Sequence, residues 1–274
     1  SIIFLAIYEN PERIGIYKAS ISLASLLYFI GISFSFLSFP SLTKLYISGK
    51  TNDMKKVFLK ITKYRFLLVQ PLFLLIFFYP ESAINLFFGE SYNEGMKALM
   101  IISIGIAFNV SVGSTGTLLQ SIGNSRHVLL ADIFGVVTNI ILNIHLVPSS
   151  GIEGAAIATA LSLFVRNLIT VIMIYYSLKF IPFRLNFVIT FLICTTLFII
   201  STLVRDFILE ISSFSVNEYY IISYELPIGH ILYITGSLVL LFLSFYSYHV
   251  FGFLDEEDYN SLSRIIRKIR GNKF

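Results

Sequence analysis

The stretch N139-IILNIHLVPSSGIEGAAIATAL-S162 decides the fold. It joins two apolar runs, 127–147 and 152–177, across only four residues, 148–151. Each run is about 20 residues long or more, the length a helix needs to cross roughly 30 Å of hydrocarbon. Two such helices joined by a short loop lie antiparallel and adjacent. Gly151, Gly154, Ala155 and Ala158 open the second run, and small residues there allow close helix packing.

Outward from this pair the same pattern repeats. Of 274 residues, 56% are hydrophobic and 13% charged, against about 25% charged in an ordinary globular domain. Apolar runs at about 19–39, 66–86, 97–121, 185–204 and 227–251 complete seven spans with the first two. The expected fold class is all-α, a polytopic transmembrane helix bundle. A cytosolic enzyme, a secreted disulfide scaffold, a disordered chain and an outer-membrane barrel with strands of about 10 residues are excluded. Residues 1–8 form an apolar run ended by Glu9 and Glu12, too short to span, and read as the tail of a truncated transmembrane helix. Pro40 is expected to stop the first span, Pro71 to be tolerated inside the second, and Pro80 to end the second a turn early.

Basic residues sort by side. The 40–65 loop carries Lys44, Lys50, Lys55, Lys56, Lys60, Lys63 and Arg65 against the single acid Asp53. With Arg126, Lys179, Arg184 and the tail bases, one side holds 15 of 20 basic residues. The opposite side holds four bases and ten acids. The positive-inside rule makes the basic side, and with it the C-terminal tail, cytoplasmic. Residues 52–65 and 254–270 have amphipathic spacing and read either as helices in the headgroup layer that attract membrane lipids or as solvated connectors. Topology accounts for the lysines, so no nucleic-acid partner is expected.

No HExxH, GxSxG, P-loop or acidic DxD pattern occurs, and the four histidines lack ligand spacing. The sequence reading is not an enzyme, with no catalytic residue, cofactor or metal site. The informative polar residues lie inside the spans, where ionisable groups are costly and face a bundle interior or a watery cavity. Arg166 lies about three turns, roughly 16 Å, from the cytoplasmic end of its helix, and Asp132 about one and a half turns into the neighbouring one. Arg166 is read as the basic residue well inside a complete span, offering a cation to an anionic substrate while Asp132 controls its availability. A buried Asp–Arg pair pinning two helices, or a snorkelling arginine, is the alternative. Asn139 and Asn143, at i, i+4, and Asn109 and Gln120 in the polar third span are further candidates for substrate contact, or make hydrogen bonds between helices.

The 139–162 string resembles the N-x-x-L-N-x-x-L-I-P-x-x-G-x-x-G-A-A-x-A-T segment of the polysaccharide-biosynthesis flippases, in the multidrug/oligosaccharidyl-lipid/polysaccharide exporter superfamily. Asn139, Asn143, Pro148, Gly151, Gly154, Ala155, Ala156, Ala158 and Thr159 fall on it. Residues 14–46, 86–99 and 254–269 are similar to further pieces of the family pattern. The resemblance implies the C-terminal lobe of a two-lobe inverted-repeat transporter plus two appended helices. Its implied organisation is a truncated helix at 1–8, five complete C-lobe spans in 9–177, two appended helices in 178–253 and a cytoplasmic amphipathic tail at 254–274. It implies a multi-pass flippase of the cell membrane that moves a lipid-pyrophosphate-linked oligosaccharide by alternating access, with the missing N-terminal lobe of the same protein as partner. A drug/cation antiporter or lipid II flippase of the same superfamily, a membrane-embedded glycan polymerase or glycosyltransferase, and a non-functional fragment are the other readings. No functional residue is carried over by the motifs.

Overall fold

The computed structural model describes residues 1–182 except Gly113, together with Thr195, Thr196 and Ile199. The expected spans at 185–204 and 227–251 and the tail helix lie outside the described residues. The chain divides into two compact units, Ser1–Phe183 and Arg184–Phe274. The first is a bundle of helices.

Helix α1 covers Ile2–Tyr8, and α2 covers Pro11–Ala24 with Pro11 at its first position, where a missing N–H costs nothing. Ser25 interrupts the chain but stays right-handed (φ −67°, ψ −15°), and α3 follows at once over Leu26–Ile47. Pro40 therefore does not stop the span as expected. The helix runs seven residues past it, because one lost N–H is readily absorbed in a membrane helix packed on neighbours.

Helix α4, Thr51–Phe78, absorbs most of what reads as a loop at 40–65, and Pro71 sits inside it. At 1.5 Å per residue its 28 residues are about 42 Å long, more than the hydrocarbon core, so the lysine-bearing turns overhang. Their apolar stripe is buried in protein. Met54 and Phe58 pack with Leu42, Leu118, Leu119, Ile122, Val128 and Ile174. Lys55 Nζ donates to the Leu178 carbonyl at 2.8 Å, which satisfies one of the free acceptors at a helix C-terminus. The helix ends at Phe78, about two turns before 86 rather than the one that Pro80 suggests, and α5 follows over Pro80–Phe87.

A short 3-10 helix, Glu90–Gly95, leads into α6, Met96–Ser111, and after a break comes α7, Thr115–Ser121. Helix α6 is the centre of the bundle, with α2, α3, α4 and α8 packed around it. Leu99, Ile102, Ile106 and Val110 are buried there. The last element, α8 (Ser125–Leu178), is a hairpin folded at Gly151, whose φ of 51° and ψ of −127° only glycine adopts without strain. Its two arms run antiparallel: Asn124 bonds Ser177, and Asn139 bonds Ser162. Among the described residues, four stretches are long and apolar enough to cross a membrane: α3, α4, the run Glu90–Ser121 and the folded α8. The protein is a multi-pass helical membrane protein.

Close approach at the hairpin needs glycine. A Cβ on Gly154 would stand 2.2 Å from the Leu146 carbonyl oxygen, whereas one on Gly15 meets nothing within 4 Å. Gly154→Ala is expected to destabilise the protein by on the order of 1–3 kcal/mol through overpacking. Gly15→Ala should be neutral or slightly stabilising. Thermal unfolding of both purified variants, followed by size-exclusion fluorescence, checks the contrast.

Candidate functional site

Helices α3, α4, α6, α7 and the second arm of α8 line an open cavity of about 840 Å³. Tyr28, Ile32, Ser35 and Phe39 recur at helical spacing on α3 and, with Phe36, form its wall. That wall is apolar except for Ser35 and the tyrosine hydroxyl. Behind it lies a smaller polar recess of about 180 Å³, lined by Ser35, Asn109, Ser114, Thr115, Thr117, Gln120, Asn167 and two arginines, Arg65 and Arg166.

The two cations are held differently. Arg166 donates from Nε to Asp132 Oδ1 at 2.5 Å, with the side chains 29% and 45% exposed. Asp132 stands behind Arg166 and is not among the residues that line the cavity or its recess. Gly116 lies beside the other end of the guanidinium on the recess side, where a Cβ would make an ordinary contact with Nη2 at 3.8 Å.

Arg65 is 4% exposed. Its Nη1 donates to the Ser114 hydroxyl, which in turn lies 2.8 Å from Ser35 Oγ. Its Nε is buried and has no hydrogen-bond partner. Gly31 makes space for it, since a Cβ there would sit 3.0 Å from Arg65 Nη2 and 3.1 Å from Val110. Ser114 comes from the break between α6 and α7. Irregular backbone at membrane depth is tolerated where it lines a polar cavity, and that is where this break lies.

The sequence-derived candidates thus separate. Arg166, Asn109 and Gln120 meet at one cavity, and Asp132 reaches it only through Arg166. Asn139 and Asn143 do not line it. Asn143 is fully buried and donates to the Asn139 carbonyl (2.6 Å) and side-chain oxygen (3.0 Å) and to Ser1 Oγ (3.2 Å). Ser1 and Tyr17 both reach Thr159 Oγ1, at 2.9 and 3.0 Å. This second network ties α1, α2 and both hairpin arms together.

Arg65 is the residue that the reading of 40–65 as a loop concealed, and Arg166 is not alone inside a span. The signal was present in the phase of the helix. Met54, Phe58, Thr62, Arg65, Val69, Phe73 and Ile76 follow one another at intervals of three or four, and all are buried. Lys55, Lys56, Lys60 and Lys63 fall off that stripe.

Comparison with known proteins agrees with the fold. A MatE family model matches residues 1–145. The uncharacterized membrane protein MJ1068 of Methanocaldococcus jannaschii is 30% identical over 142 residues, covering 52% of this chain and 28% of that one. The probable low-salt glycan biosynthesis flippase Agl15 of Haloferax volcanii is 24% identical over 186 residues, covering 67% and 38%. Among solved structures, the lipid II flippase MurJ in an inward closed conformation superposes with a TM-score of 0.50 at 17% identity, over 85% of this chain and 48% of that one. The chain spans under two fifths of the length of these two curated relatives and about half of the solved one.

A buried guanidinium whose described hydrogen bond is to a single hydroxyl is a poor stabiliser. Replacing buried ionic groups by apolar side chains of similar volume is often neutral or stabilising by about 1–4 kcal/mol. Arg65→Met is therefore expected to raise the unfolding temperature of the ligand-free protein. Asp132→Asn breaks a half-exposed pair and should cost no more than about 1 kcal/mol. Thermal melts of the two variants beside wild type measure both.

Proposed function

The chain belongs to the MatE family, and on that premise we propose that it forms part of a flippase. The cargo is a lipid-pyrophosphate-linked oligosaccharide, moved across the cell membrane by alternating access for surface polysaccharide assembly. The observation that carries this reading is the order of chemistry along the cavity. An apolar wall from Ile32, Phe36 and Phe39 runs into a recess with two guanidinium groups, hydroxyls and carboxamides. A lipid-linked glycan presents the same order: hydrocarbon, phosphate, sugar hydroxyls.

Arginine suits the phosphate because it is permanently charged and offers a planar fork of donors. Asn109 and Gln120 offer donors and acceptors suited to sugar hydroxyls. Translocation in this reading forms and breaks no covalent bond. A cavity floored by two cations does not suit a cationic drug, which weighs against the antiporter reading. Alternating access needs a second lobe to rock against, and the proposal assigns that part to the N-terminal lobe of the same protein. In this topology the lysine-bearing start of α4 faces the cytoplasm, as the positive-inside rule requires, and the C-terminal tail lies on the same side.

The test is reconstitution of the full-length protein in vesicles with a fluorescent short-chain lipid diphosphate oligosaccharide. Protein-dependent exposure of the probe on the opposite leaflet, with glycan length unchanged, is the expected result. Removing a charged donor costs about 1.5–3 kcal/mol, so Arg166→Ala should slow translocation roughly tenfold or more at equal protein abundance. Residues 1–274 alone should be inert. Glycan elongation, or no translocation by the wild-type protein, would overturn the proposal.

A further inference from the structure

We propose that Arg65, rather than Arg166, carries the uncompensated charge of this half-cavity, and that the recess around it takes one phosphoryl group of an amphiphilic ligand. Asp132 in this scheme is a positioning residue that keeps the charge of Arg166 balanced. The proposal rests on the reading of the cavity as a lipid-phosphate site and refines it to single residues.

Three observations converge. Arg65 is nearly fully buried, its described polar contact is the neutral Ser114, and its Nε has no partner. A buried cation in that state costs free energy that an anionic ligand recovers. Arg166, by contrast, already meets a carboxylate at 2.5 Å. It can still donate hydrogen bonds from Nη2, but as a member of a neutral pair it attracts a free anion weakly.

The recess has the size and the donors for the task. About 180 Å³ is room for roughly six water molecules, enough for a phosphoryl group but not for an oligosaccharide. Thr117 supplies a hydroxyl donor within it, while the Ser35 and Ser114 hydroxyls are engaged with the Gly31 carbonyl and with each other. It shares Ser35, Arg65 and Gln120 with the larger cavity, whose wall carries Ile32 and Phe36, and this commits the ligand to an alkyl phosphate rather than a free inorganic ion. With one net charge, the recess is matched to one phosphoryl group of the lipid diphosphate. Freeing Arg166 from Asp132 would add a second charge and shift the preference toward a diphosphate.

The full-length protein in detergent is titrated calorimetrically with inorganic phosphate, inorganic pyrophosphate and decyl phosphate. Decyl phosphate should bind at least tenfold more tightly than phosphate. Arg65→Gln should weaken decyl phosphate at least tenfold, with partial recovery in Arg65→Lys, and Arg166→Gln should weaken it less. Asp132→Asn should raise the ratio of pyrophosphate to phosphate affinity at least threefold, a change in selectivity that a merely structural aspartate would not produce. Gly31→Ala crowds Arg65 without removing its charge and should also weaken binding, which covers the case of a misfolded Arg65 variant. Unchanged affinity in Arg65→Gln, an Arg166→Gln loss as large as that of Arg65→Gln, or equal binding of decyl phosphate and phosphate overturns the assignment. Binding through Arg65 by a protein that moves no lipid-linked glycan would sink the flippase reading and leave this one standing. Translocation that survives Arg65→Gln would do the reverse.

Discussion

Burying a guanidinium constrains everything around Arg65. The charge must be kept from lipid, so α4 is covered along this face by α3 and α6. It must have space, so α3 carries Gly31 at the point of contact. It must have at least one acceptor, so the chain between α6 and α7 leaves the helix and offers Ser114. Each of these is a local departure from the best-packed bundle, tolerable because the broken backbone and the cation face the same polar recess. The cavity is in this sense the consequence of a single expensive residue and of the concessions made to it.

Arg166 shows the cheaper solution. It sits in the second arm of the hairpin, and the antiparallel geometry that Gly151 imposes brings Asp132 of the first arm opposite it. Gly135 lets the arms close on the arginine stem, since a Cβ there would stand 3.2 Å from Arg166 Cβ. The pair is partly exposed, so solvent or headgroups screen it and its contribution to stability is small. Two arginines on one recess thus differ in charge balance, burial and cost, and the difference follows from which elements flank them.

Most of the bundle was legible because membrane helices are written in runs of apolar residues, and the hairpin was legible because Gly151 and Gly154 sit where two such runs meet. The misreadings have a common cause. Pro40 and the lysines of 44–63 read as the edge of a span, though a helix can overhang the bilayer and a proline can lie within it. Arg65 was lost with them, as the last base of a basic run, although its spacing from Phe58, Thr62 and Val69 placed it on the buried stripe. Charge marks the side of a membrane; periodicity marks the face of a helix. At Arg65 the two signals conflict, and periodicity is the one that follows packing.

The same distinction separates two kinds of polar residue that sequence alone treats alike. Asn139, Asn143, Tyr17, Ser1 and Thr159 bond one another across helices within the bundle. Such a network holds α1 and α2 to the hairpin, although it leaves Asn143 Oδ1 buried without a partner and away from both cavities. Asn109 and Gln120 border a space instead, beside a cation whose Nε lacks a partner. Polar groups in a bilayer are costly without partners. Where the bundle supplies the partner, the residue is architecture. Where the partner is missing and a cavity stands in its place, the deficit describes the ligand: anionic, small enough for the recess, and attached to something apolar enough to lie against Ile32 and Phe36.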